Sequence, residues 1–139
     1  RDHLVNAGGD IRCNGGPLPG KPWTIAIEDP AREGRYPAVI RLYGGAVATS
    51  GSYETAHGPR GALHHIVDPR VGGCPGQFVS STVTAPTAME ADALATGLFV
   101  LPPGQALALT ESLPRHACLL ISSSGAQARS RGWAALEAG

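Results

Sequence analysis

Glycine and proline interrupt this chain so often that long helices are excluded over most of its length. The 139 residues include 19 glycines and 12 prolines, and the segments between them are short and rich in Val, Ile and Thr. β-branched residues bounded by turn-forming residues are typical of strands. The pattern predicts strands over residues 3–7, 10–14, 22–28, 38–43, 46–50, 63–67, 78–84 and 116–122.

One segment, TAMEADALATGLFVLP, has helical periodicity instead, with Met89, Leu94, Leu98 and Phe99 forming an approximate apolar stripe. Thr87 is a suitable N-cap because Glu90 follows three residues later.

A second helix is predicted over residues 104–112, between the proline pair and Pro114. We interpret the tail after Ile121, SSSGAQARSRG, as a loop. The predicted fold class is α+β, with one or two helices packed on a mainly antiparallel sheet.

Charge and cysteine content exclude several classes of function. The 11 basic and 11 acidic side chains balance, so the chain lacks the field that attracts nucleic acid or anionic lipid. Cys13, Cys74 and Cys118 have no CxxC spacing, which argues against a disulfide framework or a zinc site. We interpret Cys74, Trp23 and Trp133 as packing residues. No apolar run approaches the roughly 18 residues of a membrane-spanning helix.

Two oxygen-bearing side chains lie four residues apart on the predicted first helix. Asp92 and Thr96 would stand one turn apart on the same helix face. A carboxylate and a hydroxyl so placed can begin to hold Mg²⁺, which prefers a few protein oxygens completed by water and substrate phosphate. The structural alternative is that Asp92 favours the helix N-terminal dipole and Thr96 bonds back to a carbonyl.

Two glycine-containing segments are candidates for ligand contact. In NAGGDI the glycines permit close backbone approach, and Asp10 could accept hydrogen bonds from a ribose, a flavin or an adenine amine. A hairpin turn explains the same glycines equally well. In ATSGSYE, hydroxyls and exposed backbone donors could hold phosphate oxygens, although an ordinary Ser/Gly loop has the same composition. The lysine of a P-loop is missing.

The segment HHIVDPRVGG places two histidines beside an acid and a turn. On the predicted strand 63–67, His64 and His65 would point to opposite faces, so only one is expected to act in a site. Histidine can accept a hydroxyl proton at neutral pH, and Asp68 could orient it or help to position a cation. The alternative is that Asp68 and Pro69 begin a turn and that the histidine only satisfies local hydrogen bonds.

The order of these segments is more specific than any one of them. VNAGGDI, PWTIAIEDP, AVATSGSYE, HHIVDPRVGG and STVTAPTAMEADALATGLFVL follow one another from residue 4 to about residue 101. In this order they resemble the C-terminal half of the ApbE-type FAD:protein FMN transferases. The resemblance implies that residues 1–139 are the C-terminal part of such a domain, with an incomplete T-fold-like architecture.

The resemblance also implies an activity: Mg²⁺-dependent transfer of FMN from FAD to a Thr or Ser hydroxyl of a target flavoprotein, with release of AMP. By the match to the family's alanine-aspartate-x-x-x-threonine motif, Asp92 and Thr96 would ligate Mg²⁺. Thr49, Ser50 and Gly51 would lie beside the bound FAD.

The remaining site residues follow from the same match. Asp10 corresponds to the acid of the family's glycine-glycine-aspartate turn and would bind FAD. His65 corresponds to the histidine of the family's histidine-isoleucine-isoleucine-aspartate-proline segment. It would act as the catalytic base or as a phosphate contact, and Asp68 would hold that turn beside FAD. Val71 departs from the family, which commonly has threonine there.

The chain also lacks the N-terminal half typical of the family, including an aspartate-leucine-glycine-glycine-isoleucine-alanine-lysine-glycine segment expected to supply metal and flavin contacts. We therefore expect Arg1 to lie inside a longer protein, and either a homodimer or association with that half. We expect the protein to lie in the periplasm or to be anchored to a membrane through a lipoprotein signal, with the cytoplasm as the alternative. Two alternative functions are a noncatalytic flavin-binding remnant and an FAD pyrophosphatase that releases FMN and AMP.

Overall fold

Short strands joined by glycine and proline turns build most of the fold, in a computed structural model that describes residues 1–31, 34–53 and 64–137. The α+β class predicted from the sequence is confirmed. In chain order the elements are β1 (His3–Ala7), β2 (Asp10–Asn14), β3 (Trp23–Ile27), β4 (Ala38–Leu42), β5 (Gly44–Gly51), β6 (Phe78–Ala85), α1 (Ala88–Phe99), α2 (Pro103–Ser112), β7 (Ala117–Ser122) and β8 (Gln127–Arg129).

Six strands form one antiparallel sheet in the order β1-β2-β5-β6-β7-β8, while β3 and β4 pair in a separate two-stranded sheet. The β1–β2 hairpin turns at Gly8 and Gly9, whose φ angles of 68° and 108° favour glycine. The Gly9 amide donates to Asn6 Oδ1 at 2.9 Å. The hairpin interpretation of NAGGDI is therefore confirmed.

Both faces of the six-stranded sheet are covered, because alternate residues of its strands enter different cores. From β7, Leu119 and Ile121 pack with Trp133 and the β3–β4 sheet. The intervening Leu120 packs beneath α1 and α2 with Leu98 and other residues. The result is three layers, with the β3–β4 sheet and the helices on opposite sides of the main sheet.

The first helix begins at the predicted cap. The Glu90 amide donates to Thr87 Oγ1 at 3.2 Å, and the Thr87 amide donates to Glu90 Oε2 at 3.1 Å. This reciprocal pair satisfies two donors that a helix N-terminus would otherwise leave without partners. The second helix begins at Pro103, one residue before the prediction, and proline suits a first helical turn.

Small side chains line the contact between α1 and the sheet. Ala46 and Ala48 of β5 and Ala85 of β6 form a buried cluster with Ala91 of α1. Because none of them extends beyond a methyl group, the helix can lie close to β5.

Two predictions of local structure are wrong. Residues 64–67 are not in a strand, and Leu63 of the predicted strand 63–67 lies outside the described residues. The tail predicted as a loop contains β8, which pairs with the outer edge of β7 after a turn at Gly125. The physical reason is the same in both cases, since a strand requires a partner edge as well as a suitable composition.

Trp133 is fully buried, which confirms its interpretation as a packing residue. In the part of the chain that the structure describes, neither helix is long and apolar enough to cross a membrane.

Candidate functional site

The contact between α1 and β5 brings together side-chain oxygens that are distant in sequence. Ser50 Oγ lies 2.8 Å from Thr96 Oγ1, although the two residues are 46 positions apart. Asp92 lies one helical turn before Thr96, and both side chains are exposed. Because successive side chains of a strand point to opposite faces, Ser50 lies on the same face as Ala46 and Ala48, which is the face that supports α1.

A third hydroxyl lies next to this group. Ser81 of β6 is directly opposite Ser50 in the β5–β6 pairing. It is fully buried, and its Oγ has no hydrogen-bond partner among the described residues. Buried hydroxyls are normally bonded, so this oxygen is an additional polar group beneath the Ser50–Thr96 pair.

The donor set fits a hard cation better than a transition metal. Among the described residues, no group of three or more His, Cys, Asp or Glu side chains converges on a metal position. A Mg²⁺ site here would use the Asp92 carboxylate and the Thr96 hydroxyl, completed by water and substrate phosphate oxygens, and Mg²⁺ accepts such a set. The Thr96 hydroxyl pairs with Ser50 Oγ and not with the helix carbonyl considered as the alternative.

The three residues matched to the FAD loop end strand β5 and do not share one surface. Thr49 points to the opposite face from Ser50, where its Oγ1 lies 2.9 Å from Thr82 Oγ1. Gly51 has no room for a side chain, because an added Cβ would overlap the ring of Tyr53. Of these three residues, only Ser50 therefore has a side chain on the face of the sheet that is covered by the helix of Asp92.

Thr49 and Tyr53 line a cavity of about 360 Å³ between the β1–β2 hairpin and the β3–β4 sheet. Asp10 is exposed and begins β2 directly after the hairpin turn. Strand alternation places Asp10 on the same face as Ala46, which is the face covered by α1. Its predicted contact with FAD stays a prediction.

The two histidines lie in irregular backbone and differ in environment. His65 is exposed, whereas His64 is half-buried, with its ring edge-on to Phe99 at a centroid distance of 5.7 Å. His64 Nε2 is 3.1 Å from Pro75 O, and its Nδ1 is buried without a hydrogen-bond partner among the described residues. The argument from strand alternation does not apply here, and the role predicted for His65 stays a prediction.

Asp68 begins the turn predicted for it. The Gly72 amide donates to Asp68 O at 2.8 Å, and the Arg70 amide donates to Asp68 Oδ1 at 2.9 Å. The Arg70 guanidinium donates to both carboxylate oxygens, from Nε at 2.9 Å and from Nη2 at 2.7 Å. These hydrogen bonds from Arg70 lower the pKa of Asp68 to about 2. The carboxylate holds the turn, and its contact with FAD stays a prediction.

Sequence reasoning missed Arg70 and Gln77. Arg70 Nη2 also donates to Val100 O at 2.6 Å, and Gln77 Nε2 donates to Leu101 O at 2.8 Å. The order Asp-Pro-Arg was a signal for the Asp68 contact, because an Asp that begins a turn can accept bonds from the residue two positions later. No local pattern indicates the contacts with the end of α1.

A three-layer α+β protein with oxygen-bearing side chains grouped at the α1–β5 contact is the class that the fold and site define. The ApbE family model matches residues 1–120. The chain belongs to the ApbE family.

Similar proteins include an FAD:protein FMN transferase of Haemophilus influenzae, 42% identical over 115 residues, which are 80% of this chain and 33% of the relative. Another is an FAD:protein FMN transferase of Escherichia coli K12, 42% identical over 107 residues, which are 75% of this chain and 30% of the relative. The chain therefore spans about a third of the length of these curated relatives.

Solved structures of ApbE proteins are similar to this chain in fold and in sequence. The ApbE protein of Thermotoga maritima has a TM-score of 0.88 at 34% identity, over 99% of this chain and 45% of that one. The flavin transferase ApbE of Vibrio cholerae has a TM-score of 0.78 at 34% identity, over 96% of this chain and 43% of that one.

Proposed function

We propose that this chain is the C-terminal part of an FAD:protein FMN transferase domain. The transferase would move FMN from FAD to a Thr or Ser hydroxyl of a target flavoprotein and release AMP. The observation that carries the proposal is the oxygen group formed by Asp92, Thr96 and Ser50 in a member of the ApbE family. The names of the similar proteins support the same activity and FAD as the substrate.

The proposed reaction is a substitution at phosphorus. The acceptor hydroxyl oxygen forms a bond to the FMN phosphorus, the bond from that phosphorus to the bridging oxygen breaks, and AMP leaves with the bridging oxygen. His65 would take the proton of the acceptor hydroxyl, and Asp10, Thr49, Ser50, Gly51 and Asp68 would contact FAD. Such a reaction requires neutralised phosphate charge, in-line placement of the acceptor and a proton acceptor.

Asp92 and Thr96 would hold Mg²⁺, which when bound would neutralise charge on the diphosphate. The hydroxyl of Thr96 can act as ligand while it shares a hydrogen bond with Ser50, since a hydroxyl has one donor and two acceptor positions. Ser50 would thereby fix the direction of the Thr96 oxygen. Both Thr96 and Asp92 are exposed and thus accessible to a phosphate-bearing substrate.

For the assembly, we propose either a homodimer or association with the N-terminal half of the domain, which would complete the FAD pocket. For the location, we propose the periplasm or a membrane reached through a lipoprotein signal, with the cytoplasm as the alternative. Fractionation of cells that express the full-length gene product, followed by immunodetection, separates these locations.

The test is incubation of the full-length protein with FAD and Mg²⁺, with and without a Thr-containing peptide from a flavoprotein. We expect AMP and flavin-labelled peptide in equal amounts, and neither product after chelation of the cation by EDTA. FMN and AMP without labelled peptide would identify a pyrophosphatase. FAD binding without AMP under every condition would identify a noncatalytic protein and refute the proposal.

A further inference from the structure

Arg70 connects two parts of the molecule that both contain proposed site residues. It lies in the segment of residues 64–77, here called the histidine segment, which includes His65. Its Nη2 donates to Val100 O, 30 residues away at the end of the helix that carries Asp92 and Thr96. We propose that Arg70 is a positioning residue that holds the histidine segment against α1, so that His65 keeps a fixed place relative to Asp92 and Thr96.

The geometry of the guanidinium supports this role. One side chain donates from Nε and Nη2 to the two carboxylate oxygens of Asp68, while Nη2 also donates to Val100 O at 2.6 Å. The planar guanidinium fixes the directions of its donors, so these bonds define the distance and angle between the turn and the helix. A lysine ammonium has no such fixed geometry.

The end of α1 requires partners that the helix does not supply. Its last turn contains no basic side chain, and the last carbonyls of any helix lack partners within the helix. Arg70 brings a positive charge to Val100 O, where the helix dipole is negative. Gln77 makes a second connection to Leu101 O, and His64 contacts Phe99 through its ring edge.

Arg131 is a matched control for Arg70, because it also pairs with a carboxylate but donates to neither α1 nor the histidine segment in the described residues. Arg131 donates from its amide and Nε to Glu111 at 3.3 and 3.1 Å, so it resembles Arg70 in contacting a carboxylate with both backbone and guanidinium. Both guanidinium side chains are largely exposed, at 54% for Arg70 and 88% for Arg131. The carboxylate partners are 10% exposed in Asp68 and 27% in Glu111, and Arg70 differs further because it also reaches Val100 O at the end of α1.

The catalytic part of this inference rests on the proposed function, and the first experiment compares Arg70→Ala, Arg70→Lys and Arg131→Ala in the full-length protein. We expect Arg70→Ala to lower kcat for AMP release by about 10- to 100-fold, the size typical of a displaced catalytic group. KM for FAD should change by less than kcat, because the proposed FAD contacts outside the histidine segment, at Asp10, Thr49, Ser50 and Gly51, are retained. Arg70→Lys should retain part of the lost rate, and free guanidinium should partly restore Arg70→Ala.

Hydrogen–deuterium exchange provides a readout that does not require turnover. The amides of Val71 and Gly72 donate to Asp68 O within the histidine segment. They should exchange faster in Arg70→Ala than in either the wild type or Arg131→Ala.

The possible results are distinguishable. Exchange as slow in Arg70→Ala as in the wild type overturns the inference, whether or not the protein transfers flavin. Faster exchange with unchanged kcat also overturns it, because the segment would then be held without consequence for the reaction. A wild-type protein that releases no AMP refutes the proposed function, and exchange alone then decides whether Arg70 holds the segment.

Discussion

The two faces of strand β5 are packed with different kinds of side chain. On the face toward β3 and β4, large apolar residues such as Leu119 and Ile121 surround the fully buried Trp133. On the face beneath α1, strand β5 presents Ala46, Ala48 and Ser50. At β5, one face therefore joins a core of large side chains, while the other lets a helix approach its strand closely.

The difference shows how one set of strands can serve both stability and a site. Free energy from apolar burial grows with side-chain area, which favours large residues such as Trp133. A short hydroxyl such as Ser50 can reach a helix only where the neighbouring side chains are small. Because successive side chains alternate, β5 can satisfy the two requirements at adjacent positions. Substitutions one residue apart should therefore have different consequences.

The largest expected effect is a loss of stability on the face of the sheet toward β3 and β4. Trp133→Ala should lower the free energy of unfolding by about 3–5 kcal/mol, because it leaves a cavity in a closed core. Urea unfolding of the full-length protein measures this loss, and Trp133→Phe should lose less. A loss below about 1 kcal/mol would show that Trp133 contributes little to the stability of this core.

The next largest effect concerns the exposed side of α1. Asp92→Ala should lower the rate of AMP release by about two to three orders of magnitude, equivalent to about 3–4 kcal/mol in activation free energy. Because Asp92 is exposed, the free energy of unfolding should change by no more than about 0.5 kcal/mol. Initial rates and thermal unfolding measure the two quantities. Unchanged activity in Asp92→Ala would refute the cation assignment.

Two adjacent substitutions on β5 test the comparison directly. Ala48→Leu should overpack the contact with α1 and cost about 1–3 kcal/mol, and Val47→Ala should cost a similar amount on the opposite face. Only Ala48→Leu should also reduce activity, because it separates Thr96 from Ser50. Equal losses of activity in the two variants would contradict the assignment of different roles to the two faces.

A smaller effect is expected from the hydroxyl pair. Ser50→Ala removes one partner of the Thr96 hydroxyl, so Mg²⁺ affinity should fall by about 3- to 10-fold, in line with a net hydrogen-bond contribution of about 1 kcal/mol. Isothermal titration with Mg²⁺ in the presence of FAD measures the change. Ser124→Ala is the matched control, since it breaks the exposed pair between Ser122 and Ser124 and should leave the affinity unaltered.

The smallest effect is the pH dependence of the Asp68 turn. The pKa of Asp68 is about 2, below its ordinary value of 3.8, because Arg70 hydrogen-bonds the carboxylate. Its contribution to stability is therefore fully present above pH 3.8 and is lost as the pH falls toward 2. The stability difference between the wild type and Asp68→Asn should be larger at about pH 5 than at about pH 2 in urea unfolding. A difference that is independent of pH would show that Asp68 is not held by charge.

Local signals were sufficient for the elements whose ends are defined within the chain segment itself. The Gly8–Gly9 turn and the Thr87 cap are set by neighbours in sequence, so both were predictable. Residues 64–67 have strand-like composition but no strand partner among the described residues, whereas the polar β8 pairs with an available edge of β7. Composition alone could not distinguish these two cases.

The candidate site was predictable in part for the same reason. Asp92 and Thr96 are four residues apart on one helix, so helical periodicity places them together. The contact of Thr96 with Ser50 depends on how closely α1 lies on β5. The contact of Arg70 with Val100 depends on where the histidine segment meets the helix end. Neither distance is encoded in local periodicity.

The sequence by itself determined the fold class, the two helices, the first hairpin and the spacing of Asp92 and Thr96. These features depend on backbone preferences and hydrogen bonds between residues close together in the chain. The tertiary structure decided which face of β5 meets α1, which hydroxyl joins Thr96 and what Arg70 connects. Those choices depend on packing between distant segments, where side-chain volume sets the distance at which two backbones can approach.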